Sequence, residues 1–189
     1  MGIRIAIIIG LILFISPIHS QRLLGNEIGI QVSSSIPIAS TNVVTENFGF
    51  QLAVTANTAS GNYWRFGTEY QQKTFDYKKW ELPYEFYNGN IGYFLQAISN
   101  YRRNLLVYTG VSGIIGYEVF NKDKSLLQDG ATLNNTSSFI YGGKGTLSLE
   151  TYLSNRWVVF ALSEINYIPK SGLAQWQSQF GIGTRIFIN

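Results

Sequence analysis

The chain has 189 residues, room for one domain, with 13% charged residues, 15% aromatics, 19 glycines and no cysteine. Soluble domains carry about 25% charged residues, so an ordinary charged surface is excluded. The absence of cysteine excludes disulfides, thiolate metal sites, a cysteine nucleophile and an N-terminal lipidated Cys.

Met1 to Ser20 has the form of an export signal. Arg4 supplies a positive start, Ile5 to Ile15 is an apolar run of eleven residues, and Pro17 to Ser20 is a polar exit. A membrane-spanning helix needs about 20 apolar residues, so cleavage near Ser20 is expected rather than anchoring. Residues 21–189 are then the mature domain. It carries 13 Lys and Arg against 11 Asp and Glu, too mild a balance for nucleic-acid binding by electrostatics. The single histidine, His19, leaves with the signal.

Downstream of Gln21 the pattern alternates with period two. It predicts eight strands near residues 27–36, 47–56, 62–73, 83–98, 104–119, 138–152, 156–167 and 175–188. Ile28, Ile30 and Val32 open the first, and Phe48, Phe50, Leu52 and Val54 share one parity in the second. Trp64, Phe66 and Tyr70 alternate with Arg65, Gly67 and Glu69 in the third. In the fourth, the apolar parity changes at Asn88-Gly89-Asn90, from Tyr84 and Phe86 to Ile91, Tyr93 and Leu95, which predicts a β-bulge. The fifth runs cleanly from Leu105 to Val119, with Glu118 on the opposite parity. In the seventh, Val158, Phe160 and Leu162 share the parity of Glu164, so either facing is open. The last strand is expected to close on the first, with Ile30 near Ile182. Pro37, Pro83 and Pro169 are placed in loops or at a strand start.

Connections alternate between short (Asn57–Gly61, Ser99–Arg103, Leu153–Asn155) and long (Pro37–Glu46, Thr74–Leu82, Phe120–Ser137, Ile168–Ala174). An even strand count with short turns on one rim and long loops on the other predicts an all-β, eight-stranded antiparallel up-and-down outer-membrane β-barrel. A soluble barrel would carry charge on its outer face. Here one parity is apolar and aromatic, and the other is rich in Gly, Ser and Gln. In a membrane barrel the apolar parity faces lipid and the polar parity faces inward. The inward set holds Arg65, Glu69, Glu118, Lys144, Glu150, Glu164 and Arg185, with Gln51, Gln177 and Gln179. Eight strands enclose only enough room for side chains, so these are expected to form a paired, hydrogen-bonded plug and not a channel. Trp64, Tyr70, Tyr117, Trp157 and Trp176 are the expected membrane-girdle aromatics.

Catalytic and ligand motifs are weak. With no histidine after His19, a Ser–His nucleophile, an Asp–His base and a His-ligated metal are excluded. Asp123 and Asp129 lack the dense alternation of a calcium loop. Gly142-Gly143-Lys144-Gly145 departs from the phosphate-loop spacing and leads into a strand, so its glycines are read as making room for bulky neighbours. Lys78-Lys79 and Arg102-Arg103, beside Tyr77, Trp80 and Tyr101, suit headgroup contact better than single-stranded nucleic acid.

Three segments bear a family resemblance: GNYWRFGTEY from Gly61, FIYGGKGTLSLETYLSNRWVV from Phe139, and GIGTRIFIN from Gly181. Together they resemble the conjugal transfer protein TraO family, exported proteins encoded in the transfer regions of Bacteroidetes conjugative transposons. The resemblance implies a non-enzymatic part in a type IV secretion-like mating apparatus, in the outer membrane of a Gram-negative bacterium. The partners it implies are other transfer proteins and outer-membrane lipid. Neither nucleic acid, a small-molecule substrate nor a cofactor is expected. A stand-alone small barrel of adhesin or membrane-integrity type is the alternative.

Overall fold

The computed structural model describes residues 26–38, 47–77, 80–101, 104–124, 132 and 137–188. The expected signal, the Lys78-Lys79 and Arg102-Arg103 pairs and Asp129 lie outside these residues. Eight strands close into one antiparallel barrel in sequence order: β1 (Ile28–Ile38), β2 (Phe48–Asn57), β3 (Tyr63–Tyr77), β4 (Trp80–Ser99), β5 (Leu105–Phe120), β6 (Ser137–Tyr152), β7 (Trp157–Tyr167) and β8 (Trp176–Phe187). All eight strands foreseen from alternation are present. Closure leaves no sheet edge around the ring, because β1 pairs with β2 on one side and β8 on the other.

Turn chemistry sets the short rim. Asn100 Oδ1 accepts from the backbone N–H groups of Asn104 and Leu105 at 3.0 and 3.2 Å. Ser154 Oγ accepts from those of Arg156 and Trp157 at 3.3 and 3.1 Å. Gly61, at φ +84°, supplies the left-handed step of the turn after β2. Asn26 and Ile188 lie at this same rim, bonded to the backbones of Asn57 and Ile28.

Alternation decides which side chains enter the barrel. Outward positions carry large apolar groups such as Ile30, Leu52, Phe66, Ile91, Leu149 and Ile186, all substantially exposed. Inward positions carry the buried polar set. This inverts the arrangement of a soluble domain.

Four expectations are corrected. There is no bulge at Asn88–Asn90: β3 and β4 pair without a shift from Tyr77↔Trp80 to Tyr63↔Phe94. Tyr84 and Phe86 therefore point inward with Asn88 and are fully buried, and the register shift lies between Gln96 and Ile98. Aromatic character alone does not separate lipid-facing from lumen-facing positions in so narrow a barrel. Second, Thr74–Leu82 is not a long loop. The two strands run on as a paired hairpin past the last partners of β2 and β5, Phe48↔Gln72 and Tyr84↔Phe120. Third, Pro37 and Pro83 lie inside β1 and β4. Each sits beyond the last described pair on one side, Ser35↔Gly49 and Tyr84↔Phe120, where a missing N–H leaves no ladder bond unmade. Fourth, Ile30 pairs with Ile186, while Ile182 faces Ser34. The open question on β7 resolves inward: Val158, Phe160, Leu162 and Glu164 are all buried.

Candidate functional site

The lumen is filled from rim to rim in layers. At the short-turn end Tyr63, Phe94, Leu106, Tyr108, Tyr152, Val158 and Phe187 form one apolar cluster. At the long-loop end Tyr84, Phe86, Ile114, Ile140 and Ile168 form another, with Phe75, Phe120 and Leu173 packed on it. The polar side chains lie between and against these clusters. The interior is therefore not uniformly polar, as alternation alone suggests.

All seven ionisable residues singled out on the inward parity are buried. The structure divides them into three groups. In the middle, Lys144 Nζ bonds both Glu69 Oε2 and Glu164 Oε2, the second at 3.2 Å. Arg65 Nη2 lies 3.1 Å from Glu164 Oε1, and its guanidinium stacks 4.6 Å from the Phe94 ring centre. The Thr146 hydroxyl, 3.2 Å from Glu164 Oε1, and side-chain amides supply further donors. Gln51 Nε2 donates to Glu164 at 2.6 Å and to Glu69 at 3.2 Å, Gln179 Nε2 donates to Glu69 at 2.7 Å, and Asn88 Nδ2 does so at 2.9 Å.

Towards the short-turn rim, Arg185 grips Glu150 through two hydrogen bonds, Nη1 to Oε2 and Nη2 to Oε1, both 2.9 Å. Tyr63 donates to the same carboxylate at 2.8 Å, and Arg185 lies 4.3 Å above the Tyr63 ring. Gln31 Oε1 accepts from Arg185 Nη2 at 3.0 Å. Glu150 is thus partnered by Arg185, not by Lys144.

Glu118 stands apart, at the long-loop mouth. It accepts from Tyr84 (3.1 Å), Ser138 (2.9 Å), Ser171 (3.0 Å) and the backbone N–H of Gly172 (2.7 Å). Two of those donors belong to the connection between β7 and β8, so Glu118 ties that connection across the mouth.

Lys73 was not foreseen. It is buried, donates to Gln177 Oε1 at 2.7 Å and lies 5.6 Å from the Tyr84 ring. Its signal was present: Arg65, Glu69 and Gln71 set the inward parity of β3, and Lys73 continues it. Counting Lys73, the buried acidic and basic residues among those described balance: Glu69, Glu118, Glu150 and Glu164 against Arg65, Lys73, Lys144 and Arg185. Balance and bidentate pairing allow charge to persist in a low-dielectric interior. Chemically most of these acceptors and donors are occupied, Arg65 Nε being an exception, and the described residues present no free nucleophile–base pair. Among the described residues no group of three His, Cys, Asp or Glu is arranged to hold a metal ion.

Outside, Trp64, Tyr70, Tyr117, Trp157 and Trp176 all point away from the lumen. Trp64 packs against Tyr93 with ring centres 4.9 Å apart, and Trp176 against Tyr167 at 4.7 Å. Tyr70 and Tyr87 meet at 4.9 Å midway along the β3–β4 pairing, level with Phe50 on β2 and Tyr117 on β5 towards the long-loop side. The Gly142–Gly145 stretch lies within β6 and forms no phosphate loop. Asp123 ends a short left-handed turn, Asn121–Asp123.

The sequence matches the family of the conjugative transposon protein TraO over residues 24–188, nearly its whole length. The chain belongs to the TraO family. A comparison with curated proteins finds no match. Among solved structures, this TraO family member is similar in fold to Neisserial surface protein A, with a TM-score of 0.59 at 13% identity, covering 85% of this chain and 97% of that one. Ail, the attachment invasion locus protein of Yersinia pestis, solved with the heparin analogue sucrose octasulfate, gives 0.55 at 12% identity, covering 87% and 100%. The N-terminal β-barrel domain of Pseudomonas aeruginosa OprF gives 0.50 at 10% identity, covering 87% and 98%. These neighbours are outer-membrane β-barrels, and at such identities the likeness is one of fold. The TraO chain is thus a component of a conjugative transposon built as a small outer-membrane-type barrel.

Proposed function

We propose that this protein is a non-enzymatic component of the mating apparatus that sits in the outer membrane and serves to anchor or assemble it. The observation carrying this reading is the combination of a filled, charge-balanced lumen with an apolar outer wall. Among the described residues the lumen is filled by side chains and holds no reacting pair, so its polar residues have a structural task. The wall suits lipid, with Trp64 and Trp157 towards one rim and Tyr70, Tyr117 and Trp176 towards the other as interface aromatics. Export by a signal ending near Ser20 fits the same placement, with the short turns in the periplasm and the long loops outside the cell. Its partners are other transfer proteins, met through the loops, the periplasmic rim or the outer wall.

The test is to purify the tagged protein from isolated outer membranes of cells carrying the element, and to measure transfer after deletion of its gene. Co-purification of other transfer proteins, with loss of transfer on deletion, supports the reading. Transfer at the wild-type frequency, with attachment to other cells reduced instead, would favour the stand-alone adhesin. Recovery in the soluble periplasm would remove the membrane placement.

A further inference from the structure

Six of the eight buried acidic and basic residues meet an opposite charge: Arg65 with Glu164, Lys144 with Glu69 and Glu164, and Arg185 with Glu150. The two left over, Lys73 and Glu118, are themselves opposite in charge and share the long-loop mouth. Lys73 lies level with Tyr84 on β4, and Glu118 lies level with Phe86, two residues further along. At about 4.8 Å per strand and about 3.3 Å per residue, their Cα atoms stand about 12 Å apart, a gap that a lysine and a glutamate side chain together span. Both also touch Tyr84, whose hydroxyl donates to Glu118 at 3.1 Å and whose ring centre lies 5.6 Å from Lys73 Nζ. Yet among the described residues they form no pair.

The connection between β7 and β8, residues 168–175, keeps them apart. A carboxylate offers about four acceptor sites, two on each oxygen. On Glu118 uncharged donors fill them: Ser138 and the Gly172 N–H on Oε1, Tyr84 and Ser171 on Oε2. Two of these donors come from the connection. Lys73 is drawn the other way, to Gln177 Oε1, a bond that uses one of the three donors of the ammonium. Gln177 Nε2 donates in turn to Ser171 Oγ at 3.2 Å and to the Ala174 carbonyl at 3.3 Å. The connection thus satisfies the two charges separately.

It is also lightly held. The Ile168 N–H to Gln175 carbonyl bond (2.8 Å) and the Ser171 N–H to Ile168 carbonyl bond (3.2 Å) close it on itself. Beyond Ile168, its described contacts with the barrel are those with Glu118 and Gln177, the packing of Leu173 on the apolar cluster, and the approach of Gly172 to Phe120. Gly172, Ala174 and Gln175 are exposed. Segments with few buried apolar contacts open at low cost. Lifting this one frees an acceptor site on each Glu118 oxygen, and a buried carboxylate stripped of partners is costly. Lys73 is the buried cation that has no carboxylate of its own.

We propose that the long-loop mouth is a two-state latch. Seated, the β7–β8 connection satisfies Glu118 directly and Lys73 through Gln177. Lifted, it leaves Lys73 and Glu118 to pair with each other beside Tyr84, and Leu173 uncovers the apolar cluster beneath it. The pair formed offsets part of what the lifted connection loses, which keeps the two arrangements within reach of each other. The strands themselves take no part in the change. The latch concerns the mouth alone and stands independently of the role in conjugation proposed above.

Two measurements on the purified full chain in detergent micelles test the latch, with heat-modifiable migration confirming that each variant is folded. A water-soluble carbodiimide joins an amine to a carboxylate only where the two touch, and mass spectrometry counts the joined Lys73 and Glu118 peptides. Ser171→Ala/Gly172→Pro removes both donors that the connection gives Glu118, so coupling should rise severalfold over the wild type. Coupling of Lys144 to Glu69, a pair closed in both arrangements, is the reference. The second measurement is hydrogen exchange of the amides of residues 171–175. It should slow in Lys73→Met, because the lifted arrangement loses its compensating cation, and stay near the wild type in Lys73→Arg. A lysine that only braces Gln177 would give faster exchange when replaced by Met. Coupling no higher in the double variant than in the wild type would overturn the latch, as would exchange in Lys73→Met that is unchanged or faster. The two measurements use different variants, so either decides the question if the other variant misfolds.

Discussion

Replacing Glu150 by Leu tests whether the lumen is held by paired charge. The carboxylate is fully buried and receives two hydrogen bonds from Arg185 and one from Tyr63. Leucine leaves the Arg185 guanidinium with Gln31 Oε1 and ring faces, and no counter-charge at that end of the lumen. Removing one partner of a buried pair costs about 3–5 kcal/mol, which is roughly a hundred- to several-thousand-fold in the folding equilibrium. Glu150→Gln keeps an acceptor and the shape, so it should cost less. The double variant Glu150→Leu/Arg185→Met removes both charges and should recover much of the loss, because the uncompensated charge and not the missing bond dominates. Urea unfolding in detergent micelles, followed by heat-modifiable gel migration, reads all three. The reasoning fails if Glu150→Leu unfolds with the wild type, or if the double variant is less stable than Glu150→Leu.

Glu118→Ala removes the acceptor of four hydrogen bonds, each worth about 1.5–3 kcal/mol when the partner is charged. Limited proteolysis should then cut near Ser171, whereas Glu118→Gln should leave most of the protection. Cysteines at Ser34 and Ile182 should cross-link within one chain, as direct neighbours on β1 and β8, while a pair at Ile30 and Ile182 should not. In planar bilayers the purified protein should show no steady conductance, and stable open steps of porin size would mean that the layered lumen does not persist in lipid.

Most of the fold was legible because a strand that separates lipid from lumen must alternate, and Leu105–Val119 does so with few exceptions. Where the facing of side chains was misjudged on β4, one physical assumption was responsible: that aromatic means outward. Tyr84 and Phe86 broke it on β4, because a barrel this narrow closes its ends with rings as well as with charge. The lumen's charged residues could be read from parity alone, and Lys73 was missed only because β3 was taken to end there. Its pairing could not be read. Arg185 meets Glu150 across 35 residues, and Arg65 meets Glu164 across 99. Such partners follow from strand stagger and side-chain length, neither of which a single sequence encodes locally.

The filled lumen constrains how such a protein can serve conjugation. A strand of nucleic acid or a pilus passing through this barrel would have to displace two aromatic clusters and break the Arg185–Glu150, Arg65–Glu164 and Lys144–Glu69 pairs. At about 3–5 kcal/mol for each buried pair broken, the three pairs alone cost about 9–15 kcal/mol, comparable to the 5–15 kcal/mol that holds a typical domain together. Opening the lumen would thus approach unfolding the barrel. Under the function proposed above, the protein contributes surfaces to the apparatus and not a passage. Those surfaces are the β3–β4 hairpin that projects beyond its neighbours, the connection tied down by Glu118, and the outer wall.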